Sequence, residues 1–377
     1  MTRAAPLGKN GRSTRGESLG APTIPSRREV IAGLRREGRK IAAVLPYHYP
    51  RVLLGAHGFH PVEVWGPPGV DRDGAGRHFQ TYTCDIVLRS TAFLAGGGLD
   101  AADVILVPHT CDALQGMGSV LTDFVQPSQP VITLYLPREQ READREYLIA
   151  ELQRLSGRLA AITGTPPSDA DWAAALAAEE RADAVLAALY ADRANLAVTD
   201  REFYTLVRSR EYLPAGEFAA AAAAVPGGAA PAHGVGLLVS GIVAEPPELF
   251  DVLEQAGSRG VADDLACGSR RLYPPSEAAD PFERMADRLL ASPPDPTRGS
   301  PIAERAAHLA ATAERTGARG VIVYDVPFCE PELFDVPRLR THLERHGLPL
   351  LHLEVELAGS LPEQAVTRIE AFVETLA

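Results

Sequence analysis

Short apolar runs alternate with segments of helical spacing along most of this chain. "REVIAGLRREGRK" has helical spacing and leads into "KIAAVL", a β-rich run that stops at Pro46. In "PRVLLGAHGFHPVEVWG", Val52, Leu53 and Ala56 fit one helical face, Gly58 suits the helix end, and "PVEVWG" reads as the next strand. The same rhythm continues with "CDIVLRSTAFLAGGG" as a helix and "DVILVP" and "SQPVITLYLP" as strands. Such alternation predicts a parallel sheet covered by helices on both faces.

From "READREYLIAELQRLSGRLAAITG" to "EFYTLVRSREYL" the spacing is helical throughout, with a break at "TGTPPSDADWAAAL" and a fresh cap at Ser168 or Asp169. The low-complexity stretch "AAAAAAVPGGAAPAHG" then reads as a connection. Beyond it the alternation resumes: "GLLVSG", "GVADD", "GVIVYDV" and "PLLHLEVE" as strands, separated by helical segments and closed by "PEQAVTRIEAFVETLA". The fold class expected is α/β, with two Rossmann-like (flavodoxin-like) parallel-sheet lobes joined by a helical region and a cleft between them. The divisions expected are a disordered tail over 1–28, an amino-terminal lobe over 29–140, a helical region and linker over 141–230, and a carboxy-terminal lobe over 231–377.

Composition narrows the function. The 377 residues exceed the usual size of one hydrophobic core. No apolar run approaches the roughly 20 residues that cross a bilayer, so no membrane role is expected. A formal net charge of -12 argues against neutralising nucleic-acid phosphates. The first residues are basic and small but lack the apolar centre of a secretory signal, which points to the cytoplasm. Cys84, Cys111, Cys267 and Cys329 are few and far apart, a pattern of free thiols rather than disulfide staples.

Cys111 in "VILVPHTCDALQGMG" and Cys329 in "GVIVYDVPFC" each follow a strand, on loops at the carboxyl ends of the sheets. Cys84 opens the helix "CDIVLRS", whose amino-terminal dipole favours a thiolate. A cysteine in such a place is a buried apolar residue, a nucleophile or a metal ligand. Three thiolates from three loops can also hold three irons of a 4Fe-4S cluster and leave the fourth open. The glycines of "GVGLLVSG" are wrongly spaced for a dinucleotide fingerprint, no GxxxxGK[ST] occurs, and Ser240 lacks the first glycine of a nucleophile elbow.

The blocks "KIAAVLPYHYPRVLLGAHGFHPVEVWG", "TYTCDIVLRS", "VILVPHTCDAL", "LLVSGIVAEPPELFDVLEQAGSRGVADDLACGSR", "GVIVYDVPFCEPELFD" and "AVTRIEAFVETL" resemble, in order, the 2-hydroxyacyl-CoA dehydratase and benzoyl-CoA reductase family. The resemblance implies a 4Fe-4S cluster on Cys84, Cys111 and Cys329, with Cys267 structural. It implies an oxygen-sensitive, iron-sulfur lyase or reductase subunit acting on an acyl-CoA through a ketyl radical on the thioester carbonyl. It also implies two partners: a related second subunit, or a second copy of the chain, and an ATP-dependent iron-sulfur activator protein.

One departure stands out. After the proline of "HYPRVLLGAHG" the family typically carries a carboxylate near the substrate, and here Arg51 and Val52 occupy those positions. The alternative reading is therefore an electron-transfer or binding relative that is not a dehydratase. His109, two residues before Cys111, and His48 are the candidates for proton chemistry. Gly241 and Glu245, on the loop after "LLVSG", are the substrate-binding candidates, and Arg270 and Arg271 are either CoA-phosphate contacts or an ion-paired surface feature.

Overall fold

The computed structural model describes residues 20–228, 234–357 and 359–377. Two four-stranded sheets, each wholly parallel, organise the chain. The first contains β1 (Lys40–Val44), β2 (Phe59–Glu63), β3 (Val104–His109) and β4 (Val131–Tyr135), in the order β2-β1-β3-β4. The second contains β5 (Val235–Gly241), β6 (Ser258–Leu265), β7 (Gly320–Asp325) and β8 (Leu350–Glu354), in the order β6-β5-β7-β8. The two lobes share one topology, as the repeated rhythm of the sequence predicts.

Burial explains why the strands read as apolar runs rather than as alternations. Val104, Ile105, Leu106 and Val107 in β3, and Val321, Ile322 and Val323 in β7, are all buried, because helices cover both faces of each sheet. Pro61 lies in β2, an edge strand, where a missing N–H is tolerated. In each sheet the chain steps to one edge and then returns across its first strand. The loops therefore part between β1 and β3 and between β5 and β7, where open α/β sheets place their ligands.

The helical region comprises Glu142–Thr163, Asp169–Ala191, Asp200–Ser209 and Ala215–Ala223. Ser168 caps the second of these through a reciprocal bond with Asp171. The first five residues of the low-complexity stretch belong to the helix Ala215–Ala223, anchored by the buried Phe218, because alanine is the best helix former and a run of it does not stop a helix. Residues 229–233, where the lobe boundary was expected, lie outside the described residues, as do residues 1–19 of the expected tail. Ser26 already caps the helix Arg27–Arg36. The helix Pro281–Leu290 has no counterpart in the sequence reading. It is capped by Asp280, and Met285, Ala286, Leu289 and Leu290 join the core of Leu148, Leu152 and Leu155. Among the described residues no helix is long and apolar enough to cross a membrane.

The lobes are joined by charge as well as by packing. Arg270 and Arg271 follow β6 in a single tight turn, and both are buried. Arg270 grips Asp264 with two bonds of 3.0 Å, donates to Glu332 at 2.7 Å, and lies 3.6 Å from Asp295. Arg305 completes this group, bonding Glu332, Asp264 and Asp335. Arg271 turns the other way and pairs with Glu63 at the end of β2, where Arg51, Tyr49 and Trp65 also donate. Of the two readings of this arginine pair, ion pairing is the one observed, in the interior rather than on the surface.

Removing one partner of a buried ion pair leaves an uncompensated charge. Arg270→Met is therefore expected to cost roughly 3–5 kcal/mol in urea unfolding. A loss below about 1 kcal/mol, the scale of an exposed pair, would show that these carboxylates do not depend on Arg270.

Candidate functional site

Cys84, Cys111 and Cys329 line one cleft of about 420 Å³ between the lobes. Each is the residue immediately before a helix: Asp85–Ala95 follows Cys84, Asp112–Val120 follows Cys111, and Glu330–Glu344 follows Cys329. The sequence reading placed only Cys84 at a helix start. Gly116 and Gly118 weaken the helical signal after Cys111, and Pro331 and Pro337 obscure it after Cys329. Three helix amino termini thus meet at the cleft, and their free N–H groups and dipoles favour negative charge there.

Burial acts against that preference while the thiols stand alone. It pushes the Cys84 thiol up to about 12, reinforced by the neighbouring Cys111, while the amides of Ile86 and Val87 act the other way. Burial likewise pushes Cys111 up to about 11, against the amides of Leu114 and Ala113. Cys329 is raised well above the ordinary thiol range by burial, then by Cys84 and by Glu332. No cap hydrogen bond engages any of the three side chains. None of the three is in a disulfide.

Three cysteines on one cleft are a donor set that a cluster could use. Among the described residues no three His, Cys, Asp or Glu side chains converge tightly enough to share one metal ion. In an iron-sulfur cube each thiolate takes a separate iron, so the ligands surround the cube instead of converging on a point. The positive irons would also stabilise thiolates that burial otherwise disfavours. Phe328, directly before Cys329, holds φ at +63°, a conformation costly for an aromatic residue and frequent at functional sites. Thr297, Arg138 and Asp112 add polar groups to the wall.

The other sequence candidates lie elsewhere. His109 is half-buried, meets Tyr135 edge-on at 5.3 Å, and is kept neutral by burial and by Arg138, but does not border the cleft. His48 is buried, with Nε2 2.8 Å from Asp295 and Nδ1 3.0 Å from the Tyr273 hydroxyl. It lines a second, smaller cavity together with Arg51 and Val52, so the departure from the family pattern falls there and not beside the cysteines. Gly241, at φ +140°, packs where a Cβ would sit 2.0 Å from the Tyr324 carbonyl oxygen. Glu245 is paired with Arg208, and its carbonyl accepts from the Tyr324 hydroxyl at 2.9 Å. Neither borders the cysteine cleft. Cys267 is buried in the core, its thiol raised by burial to about 11.

Sequence reasoning missed the residues beneath the cleft. Asp295 accepts from His48, from Tyr47 at 2.5 Å and from the Thr297 hydroxyl at 2.8 Å, and Glu332 connects the Cys329 helix to Arg270. No local motif marks such residues, because their partners are distant in sequence.

Residues 46–376 match the family model described as 2-hydroxyglutaryl-CoA dehydratase, D-component. The chain is 26% identical to the beta subunit of (R)-2-hydroxyglutaryl-CoA dehydratase from Acidaminococcus fermentans over 370 residues, covering 93% of this chain and 96% of that protein. It is 25% identical to the (R)-phenyllactyl-CoA dehydratase beta subunit of Clostridium sporogenes, covering 92% and 94%. It is 24% identical to one of the subunits of benzoyl-CoA reductase from Thauera aromatica, covering 87% and 90%. With nearly its whole length matched, the chain belongs to the 2-hydroxyglutaryl-CoA dehydratase D-component family.

Proposed function

We propose that this chain is the cluster-carrying subunit of a 2-hydroxyacyl-CoA dehydratase, or of a related acyl-CoA reductase, working in the cytoplasm beside a second, related subunit. The observation that carries the reading is the meeting of Cys84, Cys111 and Cys329 in one cleft, each at a helix start. These three residues would hold a 4Fe-4S cluster. When bound, the cluster would supply one electron at low potential to the thioester carbonyl of an acyl-CoA.

The chain's own residues have separate tasks. The helix amino termini would favour the thiolate form once a cluster offsets burial, and the buried Arg270 and Arg305 keep Glu332 and the Cys329 helix in place. Three protein ligands would leave one iron of such a cluster without a protein ligand. Arg138, Thr297, Gln80 and Tyr82 are among the polar groups in the cleft wall that could hydrogen-bond what enters. An ATP-dependent iron-sulfur activator would deliver the electron, and relatives named as beta subunits support the second subunit.

Val52 favours a second reading. It is buried, and Arg51 beside it is held by Glu63, so neither supplies the proton-transferring carboxylate. The chain would then pass electrons to a partner that binds the substrate.

The test is anaerobic reconstitution with the second subunit, a reducing activator and a 2-hydroxyacyl-CoA, following the enoyl-CoA formed. Cys111→Ser and Cys329→Ser should each abolish turnover while the circular dichroism of the chain stays unchanged. Full turnover in both variants would overturn the cluster assignment. An acyl-CoA that leaves the chain's own visible spectrum unchanged, with turnover intact, would favour the electron-transfer reading.

The iron-free chain offers a second check. The thiolate is the reactive form, so a raised thiol resists alkylation near neutral pH and reacts only as the pH climbs toward its own value. Iodoacetamide followed by mass spectrometry should find Cys111, the least buried of the three, modified first, at a rate rising toward pH about 11. Rapid labelling at neutral pH would mean that the helix termini outweigh burial.

A further inference from the structure

Resting on the acyl-CoA reading above, we propose that the cysteine cleft selects thioesters whose acyl group carries an uncharged aromatic ring. Among the described residues six large apolar side chains are exposed, and three of them, Tyr82, Phe328 and Phe334, line this cleft. Single apolar side chains on a surface need no explanation, but three aromatic rings on one concave wall are the composition of a ligand pocket.

The rings come from both lobes. Tyr82 lies two residues before Cys84 in the amino-terminal lobe. Phe328 directly precedes Cys329, and Phe334 belongs to the helix Glu330–Glu344 that Cys329 opens, in the carboxy-terminal lobe. Each ring is thus carried by a segment that also brings a cysteine to the cleft. Phe334 is 73% exposed and Tyr82 57%, so water covers much of both rings in the free chain. A ligand ring laid against them removes that apolar surface from water and gains the offset or edge-on contacts of aromatic pairs. A phenyl ring needs roughly 150 Å³. The cleft of about 420 Å³ leaves space beside it for a cluster and the thioester.

Charge narrows the acyl group further. Arg138 is the one cationic side chain among the described residues that line the cleft, and Asp112 and Glu330 stand against it. Asp112 lies 3.4 Å from Arg138, so the cation is already opposed. The wall as a whole is therefore acidic. A carboxylate at the end of the acyl chain would meet like charge, which costs affinity, and an uncharged ring avoids that cost. A short aliphatic group avoids it too, but leaves the three rings in water.

The test is isothermal titration of the full-length chain, purified anaerobically, with the CoA thioesters of 3-phenyllactate, lactate and 2-hydroxyglutarate, which differ only in the acyl group. The phenyllactate thioester should bind at least about tenfold more tightly than the 2-hydroxyglutarate thioester. Tyr82→Ala combined with Phe334→Ala, both at exposed positions that the fold does not need, should weaken the phenyllactate thioester roughly two- to tenfold, the scale of an aromatic contact, and leave the lactate thioester unchanged. Asp112→Asn should strengthen the 2-hydroxyglutarate thioester by freeing Arg138. Iron analysis of the same preparation separates this inference from the cluster assignment. The preference surviving in an iron-free chain would support the aromatic acyl group and count against the cluster alone; an iron-loaded chain that binds the three thioesters equally would overturn the aromatic acyl group alone. No saturable binding of any thioester would also overturn it, and would assign the exposed rings to a surface that the second subunit covers.

Discussion

Two adjacent arginines, both withdrawn from water and turned in opposite directions, hold the centre of this molecule. Arg270 gathers Asp264 and Glu332, with Asp295 beside it, and Arg271 crosses to Glu63 on the other lobe. Burying that much charge is unfavourable unless every group is paired, and the pairing determines which elements lie side by side. Glu332 belongs to the helix that begins at Cys329, and Asp295 is two residues from Thr297 in the cleft wall. The position of the cleft therefore depends on the arginines as much as on the apolar cores.

The cleft combines two opposed effects. Helix amino termini favour negative sulfur, and burial disfavours it, with burial the larger contribution for each of the three cysteines. A bound cluster would bring positive iron that offsets the penalty of burial while the dipoles still favour the sulfurs.

Much of this was legible in the sequence, and the limits are physical. Strands buried on both faces announce themselves as apolar runs, so "DVILVP" and "GVIVYDV" and the two-lobed alternation could be read directly. The three cysteines could be picked out because each follows a strand or opens a helix and because their blocks resemble a known family. The helices after Cys111 and Cys329 were obscured by Gly116, Gly118, Pro331 and Pro337. Arg270 and Arg271 look like any surface pair until Glu63, Asp264 and Glu332 are seen closing on them from distant segments. His109 was favoured for its nearness in sequence to Cys111, yet its ring turns to Tyr135, its register partner on the neighbouring strand β4.

The most direct test of the central claim is the iron and acid-labile sulfide content of the anaerobically purified chain, with electron paramagnetic resonance of the reduced protein. The account predicts about four irons and four sulfides per chain, bound through Cys84, Cys111 and Cys329. A chain that carries no iron as purified, and takes up none when iron and sulfide are supplied, would contradict it.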